Sequence, residues 1–307
     1  MSTDRFDRTR RTLIAGAVAG ALGTALPHAA RASVITRPIP VSGEAVPVIG
    51  LGTWQAYDVG ERGSDHDEAR AGLAAFVDGG GRVIDSSPMY GRAEAAVGAL
   101  VEAGGWRERV FLATKIWTRG EEDGIASLQN SQRLMRAPVL DLVQVHNLLG
   151  IEAHLRTLRR ARDQGTVRYL GITHYHAGAH ADLERWLARE PLDAVQLNYS
   201  LAEPEADARL LALAAEKRVA VLVNRPFAEG AMFRRVAGKR LPAWAIERGV
   251  TTWAQYFLKW ILGHAVVTCV LTGTRKPAHL TDNLGAASGW LPDAGERRRM
   301  QKEFAAM

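Results

Sequence analysis

A chain of 307 residues with 47% apolar and 23% charged residues has the length of one large domain or two small ones and enough apolar content to bury a core, which excludes intrinsic disorder. The net charge of +6 falls to +3 without the first 32 residues, which hold five Arg and two Asp and leave 34 Lys+Arg against 31 Asp+Glu; nucleic acid is not an expected partner. One cysteine, Cys269, rules out an intramolecular disulfide framework and any CxxC metal or redox motif.

Residues 1–32 read as a signal peptide. A polar stretch containing Arg10-Arg11 precedes the uncharged run Leu13 to Leu26, and Ala30-Arg31-Ala32 fits a small-x-small cleavage site before Ser33. The apolar run is shorter than the roughly 20 residues that span a bilayer, so no permanent membrane anchor is expected. Thr9-Arg10-Arg11-Thr12-Leu13-Ile14 resembles the twin-arginine signal, whose export machinery carries folded proteins. The expected location is therefore periplasmic or secreted, with the cytoplasm as runner-up.

Residues 33–307 read as one domain. Val34 to Val46, turning at Ser42-Gly43-Glu44, predicts a hairpin. Eight strand-like runs follow, at Val48 to Leu51, Arg82 to Asp85, Val110 to Thr114, Leu142 to Val145, Val167 to Ile172, Ala194 to Leu197, Val219 to Val223 and Thr268 to Leu271. Several are apolar at successive positions, as buried parallel strands are. Helical stretches separate them. One runs from Asp65 to Val77, with Ser64 and Asp67 as a capping pair and Gly79-Gly80-Gly81 behind; another runs from Glu152 to Asp163 and is closed by Gly165. Strand then helix, eight times, predicts a (β/α)8 barrel of the TIM type, with an N-terminal β-hairpin. No GxGxxG or GxxxxGK[ST] supports a doubly wound sheet. Near the C-terminus, Arg297-Arg298-Arg299 read as a solvated helix face.

Such a barrel keeps its chemistry at the carboxyl ends of its strands. There the sequence places Asp85, then Tyr90 after the second strand, Lys115 after the third, and His146-Asn147 after the fourth. With Gly50-Leu51-Gly52-Thr53-Trp54, Asp85-(four residues)-Tyr90-Gly91, Ala113-Thr114-Lys115 and Asp141 to His146, the chain resembles the aldo-keto reductase family from Val34 to Asn283. That resemblance implies a catalytic tetrad of Asp85, Tyr90, Lys115 and His146. It also implies a cofactor cradle: Gly52, Thr53 and Trp54; Thr173, His174 and Gln196 at the nicotinamide carboxamide; Asn224, Arg225 and Pro226, with Gly273, Thr274, Arg275 and Asn283, at the pyrophosphate and adenosine end. Three positions depart from the family pattern, with Asn224 in place of a stacking Tyr, His174 in place of Asn, and His279 near a common Arg.

The expectation is an NADP(H)-dependent oxidoreductase, a monomer, acting on a small-molecule carbonyl or alcohol substrate. Tyr90 is the expected general acid, its pKa lowered by Lys115, which Asp85 holds protonated, while His146 orients the carbonyl. Arg275 and Lys276 offer charge to a 2′-phosphate. A nicotinamide-binding sensor with little turnover is the alternative reading. His174, His176 and His180 raise a metal site as an alternative reading, but no metal is expected.

Overall fold

The structure, a computed structural model, describes residues 34–307; the signal peptide read in residues 1–32 lies outside the described residues. A two-stranded antiparallel hairpin, β1 (Thr36–Pro38) and β2 (Ala45–Pro47), precedes eight parallel strands: β3 (Ile49–Gly52), β4 (Val83–Asp85), β5 (Phe111–Ile116), β6 (Leu140–His146), β7 (Val167–Thr173), β8 (Ala194–Asn198), β9 (Ala220–Asn224) and β10 (Val267–Thr272). They close in sequence order, and β10 pairs with β3 to complete the ring. Around it run α1 (Ser64–Asp78), α2 (Ala93–Ala103), α3 (Glu121–Leu134), α4 (Ile151–Asp163), α5 (His180–Arg189), α6 (Leu210–Glu216), the short α7 (Ala231–Arg235) and α8 (Ala243–Glu247), α9 (Trp253–Leu262), α10 (Pro277–Gly285) and α11 (Ala294–Ala305). Every expected strand is present, and the (β/α)8 expectation is met.

Strand alternation sorts the side chains. Val83, Phe111, Leu142, Tyr169, Ala194, Leu222 and Cys269 fill the ring, while Ile84, Leu112, Val143, Leu170, Val195 and Val221 face the helices in a second apolar layer. Inside the ring Gly50 admits no side chain, since a Cβ there would lie 2.8 Å from Leu271 Cδ2 and 2.9 Å from Cys269 Sγ. The hairpin floors the barrel. Its Ile39 and Val46 join the interior cluster, and burying such a side chain contributes about 1.5–3 kcal/mol. Arg37 donates to the carbonyls of Leu262, His264 (2.9 Å) and Val267, at the turn from α9 into β10.

In α4, Ile151, Leu155 and Leu158 are buried, and Gly165, at φ 73°, lies in the turn that follows. Two local expectations need correction. The N-cap of α1 is Gly63, at φ 103°, with no side-chain cap bond; the helix starts at Ser64 itself, so Ser64 cannot cap it. Arg297 is not solvated. Its Nε donates to the carbonyl of Trp260 at 3.0 Å, its guanidinium lies 4.5 Å over the Trp260 ring, and it bonds Tyr199 and Asp207. The helical period turns Arg298 and Arg299 outward and leaves Arg297 against the aromatic layer.

Candidate active site

Asp85 ends β4 and pairs in register with Ala113, so Lys115, two residues farther along β5, projects into the ring just above it. Lys115 and Asp85 are 1% and 3% exposed. Lys115 Nζ donates to Asp85 Oδ2 and to the carbonyl of Ser86, both at 2.6 Å. The other oxygen of Asp85 accepts from Gln144 Nε2 at 3.2 Å and Gln196 Nε2 at 3.1 Å. Thus the carboxylate joins side chains from β5, β6 and β8. Tyr90 follows in the turn after β4, where its N–H donates to the carbonyl of Ser87 at 3.0 Å. Its ring centroid lies 5.0 Å from Lys115 Nζ and 6.1 Å, edge-on, from the His146 ring. Trp117 stands 6.3 Å from His146 on the open side. The four residues of the expected tetrad are brought together.

The electrostatics correct one expectation. Burial pushes the Tyr90 pKa up, and although Lys115 pulls against it, the net shift is upward, with Asp85 adding to it. The phenol is therefore held protonated rather than poised as phenolate. Burial alone would lower the Lys115 pKa, but Asp85 and then Tyr90 outweigh it, and Lys115 is firmly an ammonium. Burial, then the charges of Lys115 and His174, pushes His146 down to about 3, so its imidazole is neutral near pH 7.

The residues expected to hold a cofactor lie at the same end of the barrel. Thr53, fully buried, donates to the carbonyl of Asp85 at 3.1 Å and lies 2.9 Å from Ser86 Oγ; Trp54 is exposed at the rim. Gly52 pairs with Asp85 across β3 and β4. Gln196 Oε1 accepts from Thr173 Oγ1 and from Asn224 Nδ2, both at 3.2 Å. His174 turns its Nδ1 onto the Tyr175 N–H at 2.9 Å, and its carbonyl accepts from Asn224 Nδ2 at 3.1 Å. Asn147 Oδ1 and Asn224 Oδ1 are buried with no partner among the described residues, and so suit a ligand that carries N–H donors.

Around the ends of β9 and β10, Arg225 (φ 50°) bonds the Tyr175 carbonyl at 2.9 Å and pairs with Glu229 and Glu203; Pro226 behind it is buried. After β10 come Gly273, Thr274, Arg275 and the exposed Lys276, which is the N-cap of α10. Loops after the last two strands, with a following helix N-terminus, are where such barrels hold phosphate. Arg275, however, is engaged: its Nε donates to Glu68 at 2.8 Å and its Nη2 to Asp65 at 2.7 Å, both on α1. Asn283 is buried on α10. Among the described residues, no group of three or more His, Cys, Asp or Glu could hold a metal ion. His180 bonds Asn198 at 2.9 Å, while His174 and His176 meet edge-on.

A sequence model of the aldo/keto reductase family matches residues 48–295. This chain belongs to that family. Relatives of this aldo/keto reductase include an aldo-keto reductase of Bacillus subtilis, 24% identical over 81% of this chain and 87% of the relative. A methylglyoxal reductase of Escherichia coli is 26% identical over 76% and 83%. The solved aldo/keto reductase of Klebsiella pneumoniae in complex with NADP and acetate superposes with a TM-score of 0.73 at 25% identity, covering 85% of this chain and 93% of that one.

Three polar residues of this aldo/keto reductase site have roles that the sequence reading did not give them. Gln144 braces Asp85, and its position two residues before His146 on one strand was the available signal, because period two puts both on the inner face. Glu94, buried on α2, accepts from Thr114 Oγ1 at 2.5 Å behind the Lys115 strand, and burial raises its pKa. Ser87 Oγ lies 3.1 Å from His146 Nδ1; the bond crosses from a turn to another strand, and no spacing announces it.

Proposed function

We propose that this aldo/keto reductase uses NADP(H) to reduce an aldehyde or ketone to the alcohol, with Tyr90 as general acid. Bound NADPH supplies a hydride to the carbonyl carbon. As the carbonyl is reduced, its oxygen gains negative charge, and the Tyr90 O–H would give it the proton. The phenolate left behind faces the Lys115 ammonium, which Asp85 fixes and keeps charged. A neutral His146 orients the carbonyl without competing as an acid. The observation that carries this reading is the buried Lys115–Asp85 pair beneath the Tyr90 ring, with His146 across from it.

The cofactor reading is supported by the unpartnered amide oxygens of Asn147 and Asn224, which match a carboxamide, and by Lys276 at the N-terminus of α10, which suits phosphate. The NADP-bound Klebsiella structure supports it from outside the chain. The test incubates purified protein with NADPH and a panel of aldehydes and ketones, including methylglyoxal because of the Escherichia coli relative. Absorbance loss with at least one carbonyl is expected; no loss with any of them refutes the assignment.

The pattern of residues 1–32, with Arg10-Arg11 ahead of an apolar run and Ala30-Arg31-Ala32 behind it, supports export of the folded enzyme by the twin-arginine route, with its cofactor taken up first. Fractionation of cells carrying the unmodified chain or Arg10→Lys/Arg11→Lys tests this. Unmodified protein found only in the cytoplasm rejects export, and exported protein without nucleotide rejects carriage of the cofactor.

A further inference from the structure

The role of His146 depends on which ring nitrogen bears its single proton. Because the ring is neutral at ordinary pH, the choice is between two tautomers. Nδ1 lies 3.1 Å from Ser87 Oγ, whereas no group among the described residues bonds Nε2. Ser87 is 0% exposed, in the turn between β4 and α2. Its oxygen already accepts from the Met89 N–H at 3.4 Å. The hydroxyl proton must go to an acceptor, and the one within reach is His146 Nδ1. The opposite assignment, with Nδ1–H donating to Oγ, strands a buried O–H without an acceptor on an oxygen that takes two N–H donors.

We propose that Ser87 is a positioning residue: it donates its hydroxyl proton to Nδ1 of His146 and thereby fixes the Nε2–H tautomer, which leaves an N–H free to hold the substrate carbonyl. The Ser87 O–H bond persists; no proton is transferred. With the other tautomer Nε2 would present a lone pair to the carbonyl oxygen and repel it. Ser87 therefore acts on the reaction through His146 alone, two residues beyond the Asp85 that serves Lys115. One turn of chain sets both the charge beside Tyr90 and the donor opposite it.

The assignment of the carbonyl as ligand rests on the proposed reductase activity; the tautomer does not. Nitrogen-15 NMR of the labelled protein, with His146 assigned by loss of its signals in His146→Gln, is expected to show Nδ1 unprotonated and Nε2 protonated near pH 7. Ser87→Ala is expected to mix the tautomers and lower kcat/KM for carbonyl reduction roughly five- to tenfold, the size of one lost hydrogen bond, with the loss in kcat and NADPH affinity unchanged. Ser87→Thr, which keeps the hydroxyl, is expected to restore both. A protonated Nδ1 in the unmodified protein overturns the proposal, as does a Ser87→Ala protein with unchanged tautomer and unchanged kcat. If the unmodified protein reduces no carbonyl, the reductase reading fails, and the NMR result alone decides what Ser87 does.

Discussion

Removing one half of the Lys115–Asp85 pair should destabilise the fold far more than removing both. In Asp85→Asn the Lys115 ammonium, 1% exposed, loses its counter-charge, and the single amide oxygen can accept from Lys115 or from Gln144 and Gln196 but not from both sides. A buried charge left in that state costs about 3–5 kcal/mol. In Lys115→Met the Asp85 carboxylate keeps two amide donors on Oδ1 but loses its Lys115 donor on Oδ2, which places the cost toward the lower end of that range. The double variant has no charge to strand, and Met fills much of the lysine volume, so its cost should fall to about 1–2 kcal/mol. The coupling energy is then about 4 kcal/mol or more. Urea unfolding of the four proteins at pH 7, followed by circular dichroism, measures it. The alkaline limb gives a second check with a fixed sign. Because the Lys115 pKa is raised on folding, its contribution is complete below the ordinary lysine range and is lost as pH climbs through the higher folded value. Tyr90 is raised too and loses its contribution in the same direction, so Lys115→Met should flatten only part of the decline. Single-variant costs that simply add in the double variant would refute the reasoning.

Three other outcomes follow from the site. Tyr90→Phe should lose roughly 10²–10⁴ in kcat for carbonyl reduction while binding NADPH nearly as before; turnover at the unmodified rate removes Tyr90 from the proton-donor role. His146 takes up a proton near 6.5 when unfolded but resists until about 3 when folded, so it contributes stability above pH 6.5 that drains as pH falls toward 3, by up to about 1.4 kcal/mol per pH unit. His146→Gln should therefore show a shallower acid decline in urea midpoints, and an unchanged slope contradicts the burial argument. Neutralising the carboxylates that occupy Arg275, in Asp65→Asn/Glu68→Gln, should tighten NADPH roughly three- to tenfold and NADH less, by fluorescence titration; equal changes for both cofactors would place the 2′-phosphate elsewhere.

The eight strands and the four residues at their ends were legible because their signals are local. Apolar runs of strand length recur at helix-length intervals, and Asp85, Lys115 and His146 each sit at or just beyond the end of a run. What stayed illegible was partnership. Arg275 looks like an available cation in sequence, yet its carboxylates come from Asp65 and Glu68, on the first helix of the barrel. Arg297 belongs to a run of three arginines, and only the packing of α11 against Trp260 separates it from its neighbours. The Tyr90 shift depends first on burial, which a lysine motif does not report. In each case the deciding group lies on another element of the fold.

The pairing of β10 with β3 also sets the order of construction. The first strand of the ring waits for the last one to be synthesised, and Arg37 of the floor likewise finds its acceptors at residues 262–267, near the end of the chain. No N-terminal fragment that lacks β10 can close the barrel, and its closure joins residues far apart in the chain. An export route that threads unfolded chain from its N-terminus would act before this ring exists; one that accepts a finished protein acts after it. The proposed twin-arginine export would make the same demand on timing as this ring closure: the last strand in place before the first residues are read as an address.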